Sequence, residues 1–131
     1  LAEFRTVYGL LILPVEANST EFTLETNAVR KRFDDQLLAE LEPYGQHFVA
    51  ADLSGTILTD EAVTSLAKFS NLRTLNLSRT QLSGQTIGGL AKLTQLKKLF
   101  LFQTELESPE LVQQLRSALP NCEIQVSGVS S

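Results

Sequence analysis

The sequence predicts an α/β fold: a short solenoid of stacked strand, turn and helix units, closed by an N-terminal α+β cap. Parallel strands line its concave side and helices its convex side. Three observations predict it. Segments starting at Phe48, Leu72 and Leu96 align without gaps, FVAADLSGTIL, LRTLNLSRTQL and LKKLFLFQTEL, with starts twenty-four residues apart, a fixed period that marks repeat architectures. Four columns agree in that register: Ala51, Leu75, Leu99; Leu53, Leu77, Leu101; Thr56, Thr80, Thr104; and Leu58, Leu82, Leu106. The bulk also fits, since 131 residues, 43% apolar and 20% charged, suit one globular domain that buries roughly two-thirds of its unfolded surface.

Residues 1–47 do not match the repeated strand. EFRTVYGLLILPV reads as one or two extended stretches, because Val7, Leu10, Leu11, Ile12, Leu13 and Val15 are too continuous to be exposed on both faces. ANST, residues 17–20, is a turn, and Phe22 and Leu24 share one side of EFTLETNAV. FDDQLLAELEPYG reads as a helix with Asp34 or Asp35 near its start, Leu37, Leu38 and Leu41 inside, and Pro43 and Gly45 ending it. Stacked units bury their flat apolar faces only against neighbours, so this segment is expected to cap the first full strand. Residues 48–71, 72–95 and 96–121 are then three units, with Val63, Ile87 and Leu111 in one helical column and Leu66 and Leu90 in another. Asn71 and Gln95 close the first two units, while the third closes two residues late at Asn121 and Cys122 takes the leucine's place. Cys122, Ile124 and Val126 alternate with polar residues, which predicts a terminal strand over 122–127 and a tail over 128–131.

These residues resemble the leucine-rich repeat family, whose strand segment is LxxLxLxxNxL. The departure is threonine at Thr56, Thr80 and Thr104, where the family carries Asn or Cys. A hydroxyl there satisfies backbone groups of the turn leaving the strand; the other reading is three β-favouring residues at strand ends. LPVEANSTEFTLE, the helix ending in EPYGQ, and LKKLFLFQTELESPELVQQLRSALPNCEI are similar, more narrowly, to the C-terminal region of bacterial membrane proteins that carry a c-type cytochrome domain. The matching residues are Phe100, Phe102, Gln103, Thr104 and Ala118 to Cys122. The resemblance implies an extracytoplasmic, periplasmic piece tethered by membrane spans elsewhere in its parent. With Leu at its start and no basic region leading into an apolar one, the chain reads as part of a longer protein. It holds no CxxCH, so no heme or other cofactor is expected in it.

Composition excludes several chemistries. A formal charge of -4 offers no field that favours a phosphate backbone, so no nucleic-acid partner is expected. The longest apolar run, Val7 to Val15, is broken by Gly9 and Pro14 and falls short of the ~20 residues of a membrane helix, so no direct membrane insertion is expected. One cysteine and one histidine exclude a disulfide within the chain, cysteine-based metal clusters and histidine triads. His47 has no nucleophile at a recognisable motif and reads as a boundary residue; Cys122 reads as a buried, inert thiol. Asp34, Asp35, Glu40 and Glu42 read as a solvated helix face. SGQTIGG, residues 83–89, lacks the ending of a phosphate loop, and its glycines read as tight turns. The sequons at Asn18 and Asn76 are short matches, the second within a strand. No enzyme, catalytic residue or metal site is expected.

What remains is a surface. If Leu75 and Leu77 point inward, Thr74, Asn76 and Ser78 point outward. The concave face then offers Asp52, Thr74, Asn76, Arg79, Lys98, Phe100 and Phe102 as candidate partner contacts, with the two aromatics beside cationic neighbours resembling a contact hot spot. Internal packing of Phe100 and Phe102 is the competing reading. The expected function is a non-catalytic protein-interaction module that binds a protein or other domains of its parent. The alternative is a purely structural C-terminal cap of a membrane-anchored cytochrome c-type protein, with no separate ligand. Pairing between chains through the terminal strands is a further possibility.

Overall fold

The computed structural model describes residues 11–14 as backbone, and residues 21–26 and 31–126 in full. The expectations for residues 1–10, the ANST turn, the Asn18 sequon and the 128–131 tail lie outside the described residues. One sheet organises the rest, with strands β1 (Leu11–Pro14), β2 (Phe22–Glu25), β3 (Phe48–Asp52), β4 (Thr74–Asn76), β5 (Lys98–Phe100) and β6 (Glu123–Gln125). Spatial order follows chain order. β1 is antiparallel to β2, and β2 to β6 are parallel to their neighbours. Helices α1 (Asp35–Glu40), α2 (Ala62–Leu66), α3 (Ile87–Leu90) and α4 (Pro109–Ala118) link the parallel strands from β2 to β6. They pack in the same sequence, α1 on α2, α2 on α3 and α3 on α4.

The expected fold class, a leucine-rich repeat solenoid closed by a separate α+β cap, is corrected. Among the described residues the chain forms a six-stranded mixed sheet, five of its strands parallel, with helices along it. β2 joins the ladder of β3 directly, Leu24 opposite Ala51 and Glu25 opposite Asp52. Leu24, only 2% exposed, shares one core with Phe33, Leu38, Leu41, Leu75 and Leu99. The N-terminal segment therefore extends the sheet from within, because backbone pairing and apolar burial both continue across the junction.

Local chemistry explains each turn off a strand. Thr56, Thr80 and Thr104 donate their Oγ1 hydrogens to the carbonyls of Leu53, Leu77 and Leu101 at 2.7, 2.6 and 2.9 Å. Each hydroxyl reaches three residues back and holds a carbonyl that has left the ladder. One residue before each threonine the backbone turns left-handed, at Gly55 (φ 71°), Arg79 (φ 56°) and Gln103 (φ 57°). Only the first of the three is glycine, so the other two carry strain.

The helical side is stapled from unit to unit. Asp34 caps α1 by accepting from Leu37 N at 3.0 Å. Asp35 accepts from the backbone N and the hydroxyl of Thr59. Asp60 accepts from Ser83 N at 2.7 Å and Ser83 Oγ at 2.6 Å, and Glu42 accepts from Ser65 Oγ at 2.7 Å. Asp34, Asp35 and Glu42 thus serve the fold, which corrects their reading as a solvated face. Asn71 and Gln95, which close their units, donate to the carbonyls of Gln46 (2.8 Å) and Phe69 (3.2 Å) in the preceding unit. One glycine of SGQTIGG is also corrected: Gly89 lies inside α3, where an added Cβ would stand 2.3 Å from Val63 Cγ1. Its role is close helix approach.

β6 enters the sheet through the turn used by the earlier units: Leu72, Leu96 and Cys122 each donate their backbone N–H to the carbonyl three residues back, of Phe69, Leu93 and Leu119, at 3.1, 3.0 and 3.0 Å, and Glu123 then pairs with Lys98. Cys122 is half-buried instead of buried.

Candidate functional site

Parallel register sorts the open face of the sheet into rows. Near the carboxyl ends of the strands Glu25, Asp52, Asn76, Phe100 and Gln125 stand side by side; one step back stand Ala50, Thr74, Lys98 and Glu123, with Thr23 beside Ala50. Adjacent strands lie roughly 4.8 Å apart, so neighbours in a row are within side-chain reach. A hollow of about 350 Å³ opens on this face, walled by Thr23 and Glu25 of β2, Ala50 and Asp52 of β3, Thr74 and Asn76 of β4 and Phe100 of β5.

Two of the candidate residues are fixed by their own turns. Asp52 Oδ1 accepts from Ser54 N at 3.1 Å and from Ser54 Oγ at 2.7 Å. Asn76 Oδ1 accepts from Ser78 N at 3.0 Å, and Ser78 Oγ in turn accepts from Phe102 N at 2.9 Å. These short loops hold the carboxylate and amide in place before anything binds. In the next unit Phe100 and Phe102 replace the polar pair, and Gln103 N donates to Glu107 Oε1 at 2.8 Å.

Phe100 and Phe102 are half-buried, not exposed as the alternation suggests. Their ring centroids are 6.2 Å apart at a tilt of 41°, so each ring covers part of the other. Phe100 reaches the hollow and Phe102 is absent from its described lining. Lys98 and Arg79 are exposed, and Thr74 is half-buried. The structure thus brings Asp52, Thr74, Asn76 and Phe100 together around one depression, and leaves Lys98, Arg79 and Phe102 outside its lining. Sequence reasoning missed Thr23 and Glu25, because nothing in their spacing reveals that β2 pairs in parallel with β3. It also missed Ile57, the one large apolar side chain exposed among the described residues, at 41%. Isolated exposure of this kind is ordinary on protein surfaces.

Chemistry elsewhere is sparse. His47 ends a 3-10 turn (Glu42–His47) and packs edge-on against Phe22, ring centroids 6.3 Å apart. Burial pushes the Cys122 thiol up to about 11, the Glu123 charge adds to the rise, and Lys97 opposes it. A thiol held protonated is a poor nucleophile. Among the described residues no cluster of three or more His, Cys, Asp or Glu side chains stands ready for a metal ion, and no helix is long and apolar enough to cross a membrane.

No protein-family model matches the sequence, and no curated protein matches it. The fold is similar to a chain of the solved structure of the Chaetomium Mex67:Mtr2 subunits, with a TM-score of 0.64 and 18% identity over 88% of this chain and 83% of that one. This finding corrects the resemblance drawn from the sequence. The assignment to the leucine-rich repeat family, and within it to the C-terminal region of bacterial cytochrome-bearing membrane proteins, is replaced by a likeness of fold to a Mex67:Mtr2 subunit. Bacterial origin and an extracytoplasmic, membrane-tethered setting were implied by that resemblance alone and are not carried further.

Proposed function

We propose that this chain is a non-catalytic protein-interaction module that engages its partner through the open face of the sheet. The observation that carries the reading is the hollow of about 350 Å³ whose walls combine pre-positioned polar groups, Asp52 and Asn76, with an aromatic ring, Phe100. A concave, largely apolar depression with a few fixed polar groups is the usual form of a recognition site, and aromatic side chains dominate contact energetics. The fold likeness to a subunit from a structure of two named components, Mex67 and Mtr2, supports a role in assembly.

The test is association of the chain with its partner under native conditions, using Phe100→Ala with Phe102→Ala against a helix-side control, Gln113→Ala. The double variant is expected to keep the far-ultraviolet circular dichroism of the parent and to lose association at least tenfold, while the control keeps both. Equal association by the parent and the folded double variant would overturn the reading. Unfolding of the double variant would instead show the aromatics to be core; in that case Asn76→Lys, which obstructs the hollow from an outward position, is the deciding variant.

A further inference from the structure

We propose that the edge of the sheet where β4 and β5 begin is a docking surface for an acidic segment of a protein partner. It goes beyond the reading of the open face, because none of its cations belongs to the described lining of the hollow. Lys68 and Arg73 lie between α2 and β4, Lys92 and Lys97 lie between α3 and β5, and Lys98 opens β5. The two pairs recur at the twenty-four-residue period, so stacking of the units sets like charge beside like charge. Lys97 N donates to Arg73 O at 2.7 Å, which fixes these two residues as neighbours on adjacent rungs. All five side chains are exposed, and none makes a hydrogen bond or ion pair among the described residues. Cations one rung apart repel, and an external anion relieves that repulsion. The chain itself offers few carboxylates here. Glu42 is taken by Ser65 Oγ at 2.7 Å, Glu21 stands before β2, two strands from β4, and Glu123 faces Lys98 from β6. Acidic side chains gather instead at the opposite end, where the strands leave the sheet: Asp60 and Glu61 after β3, Glu105 and Glu110 after β5. A chain of formal charge -4 is thus polarised along its strands.

The footprint selects the occupant. The basic rungs are two, bounded by Glu123 on one side and by Val49, whose carbonyl accepts from Arg73 N at 2.8 Å, on the other. A long polyphosphate overruns two rungs and meets the net negative charge of the rest of the chain. A short acidic segment does not. Adjacent strands lie ~4.8 Å apart and alternate side chains of an extended peptide ~7 Å apart, a difference that flexible lysine and arginine stems absorb.

The experiment titrates the full chain with a short capped peptide of alternating glutamate and serine, with the same peptide carrying glutamine for glutamate, and with oligothymidylate of equal charge, following backbone amide shifts. Saturable shifts at Lys68, Arg73, Lys92 and Lys97 are expected for the acidic peptide, none for the glutamine peptide, and weaker binding for the oligonucleotide. Arg73→Gln with Lys97→Gln is expected to weaken peptide binding about tenfold, and Lys68→Gln with Lys92→Gln about threefold. Lys31→Gln with Arg32→Gln removes the same charge from exposed positions before α1 and is expected to leave binding within about twofold, because screening confines the effect to nearby charges. Raising salt is expected to weaken the peptide complex. Equal binding of the glutamine peptide, unchanged binding by the folded Arg73, Lys97 variant, an equal loss in the Lys31, Arg32 variant, tighter binding of the oligonucleotide, or no saturable shift would overturn the proposal. If the Arg73, Lys97 variant unfolds, the Lys68, Lys92 variant decides by the same comparison. The probes touch this edge alone, so their failure leaves the open face standing, and failure of the Phe100, Phe102 test leaves this edge standing.

Discussion

At the scale of single residues, hydroxyls and backbone angles hold the turns together. Thr80 Oγ1 donates to Leu77 O at 2.6 Å inside the protein, and a valine of the same shape leaves that carbonyl without its hydroxyl partner. Thr80→Val is therefore expected to destabilise the fold by about 1–3 kcal/mol, measured by denaturant unfolding, whereas an unchanged midpoint would return the threonine column to mere β-preference. Gly55 and Arg79 occupy equivalent left-handed positions. Gly55→Ala is expected to cost about 1 kcal/mol, while Arg79→Gly is expected to be neutral or slightly stabilising, because relief of strain offsets the added chain entropy. Cys122 gives a pH signature. Its thiol is raised from 9.0 to about 11, so the folded chain retains a proton that the unfolded chain has lost. The contribution is full below about pH 9 and is lost as pH rises toward 11. Thiolate absorption is expected to titrate higher in the folded than in the denatured protein, and Cys122→Ser to remove that part of the alkaline loss of stability.

At the scale of elements, close approach decides which residues are admitted. Gly45 lies where an added Cβ would be 2.6 Å from the carbonyl oxygen of Lys68, a backbone atom that cannot swing aside. Gly45→Ala is expected to cost about 1–3 kcal/mol through overpacking, whereas Gly88→Ala, with nothing within 4 Å of its added Cβ, is expected to raise stability by up to about 1 kcal/mol through helix propensity. Comparing the two by thermal unfolding separates steric from conformational roles. Leucine columns such as Leu53, Leu77 and Leu101 were legible because every member points into one core. The Asp60 to Ser83 staple was not legible, since acidic residues near a helix start look alike whether they face water or a neighbour twenty-three residues on.

At the scale of the whole molecule, what the sequence concealed was pairing. Apolar continuity in LILP marks a strand but carries no direction, so the antiparallel β1 and the parallel β2 became visible only in the sheet. For the same reason Thr23 and Glu25 escaped notice as walls of the hollow: their neighbours are set by register, not by spacing. These junctions have an energetic consequence. Leu24 in β2 and Ile124 in β6 stand near opposite ends of the sheet, at 2% and 0% exposure, yet belong to one continuous core. A domain with such a core unfolds as one cooperative unit. Leu24→Ala removes buried methyl groups and is expected to cost about 2–5 kcal/mol. Because the core is shared, that loss is expected to appear equally in global circular dichroism and in the labelling of Cys122 far along the sheet. Coincident transitions by the two probes confirm coupling from β2 to β6. Labelling of Cys122 that holds its parental midpoint while circular dichroism shifts would show instead that the N-terminal strands unfold on their own.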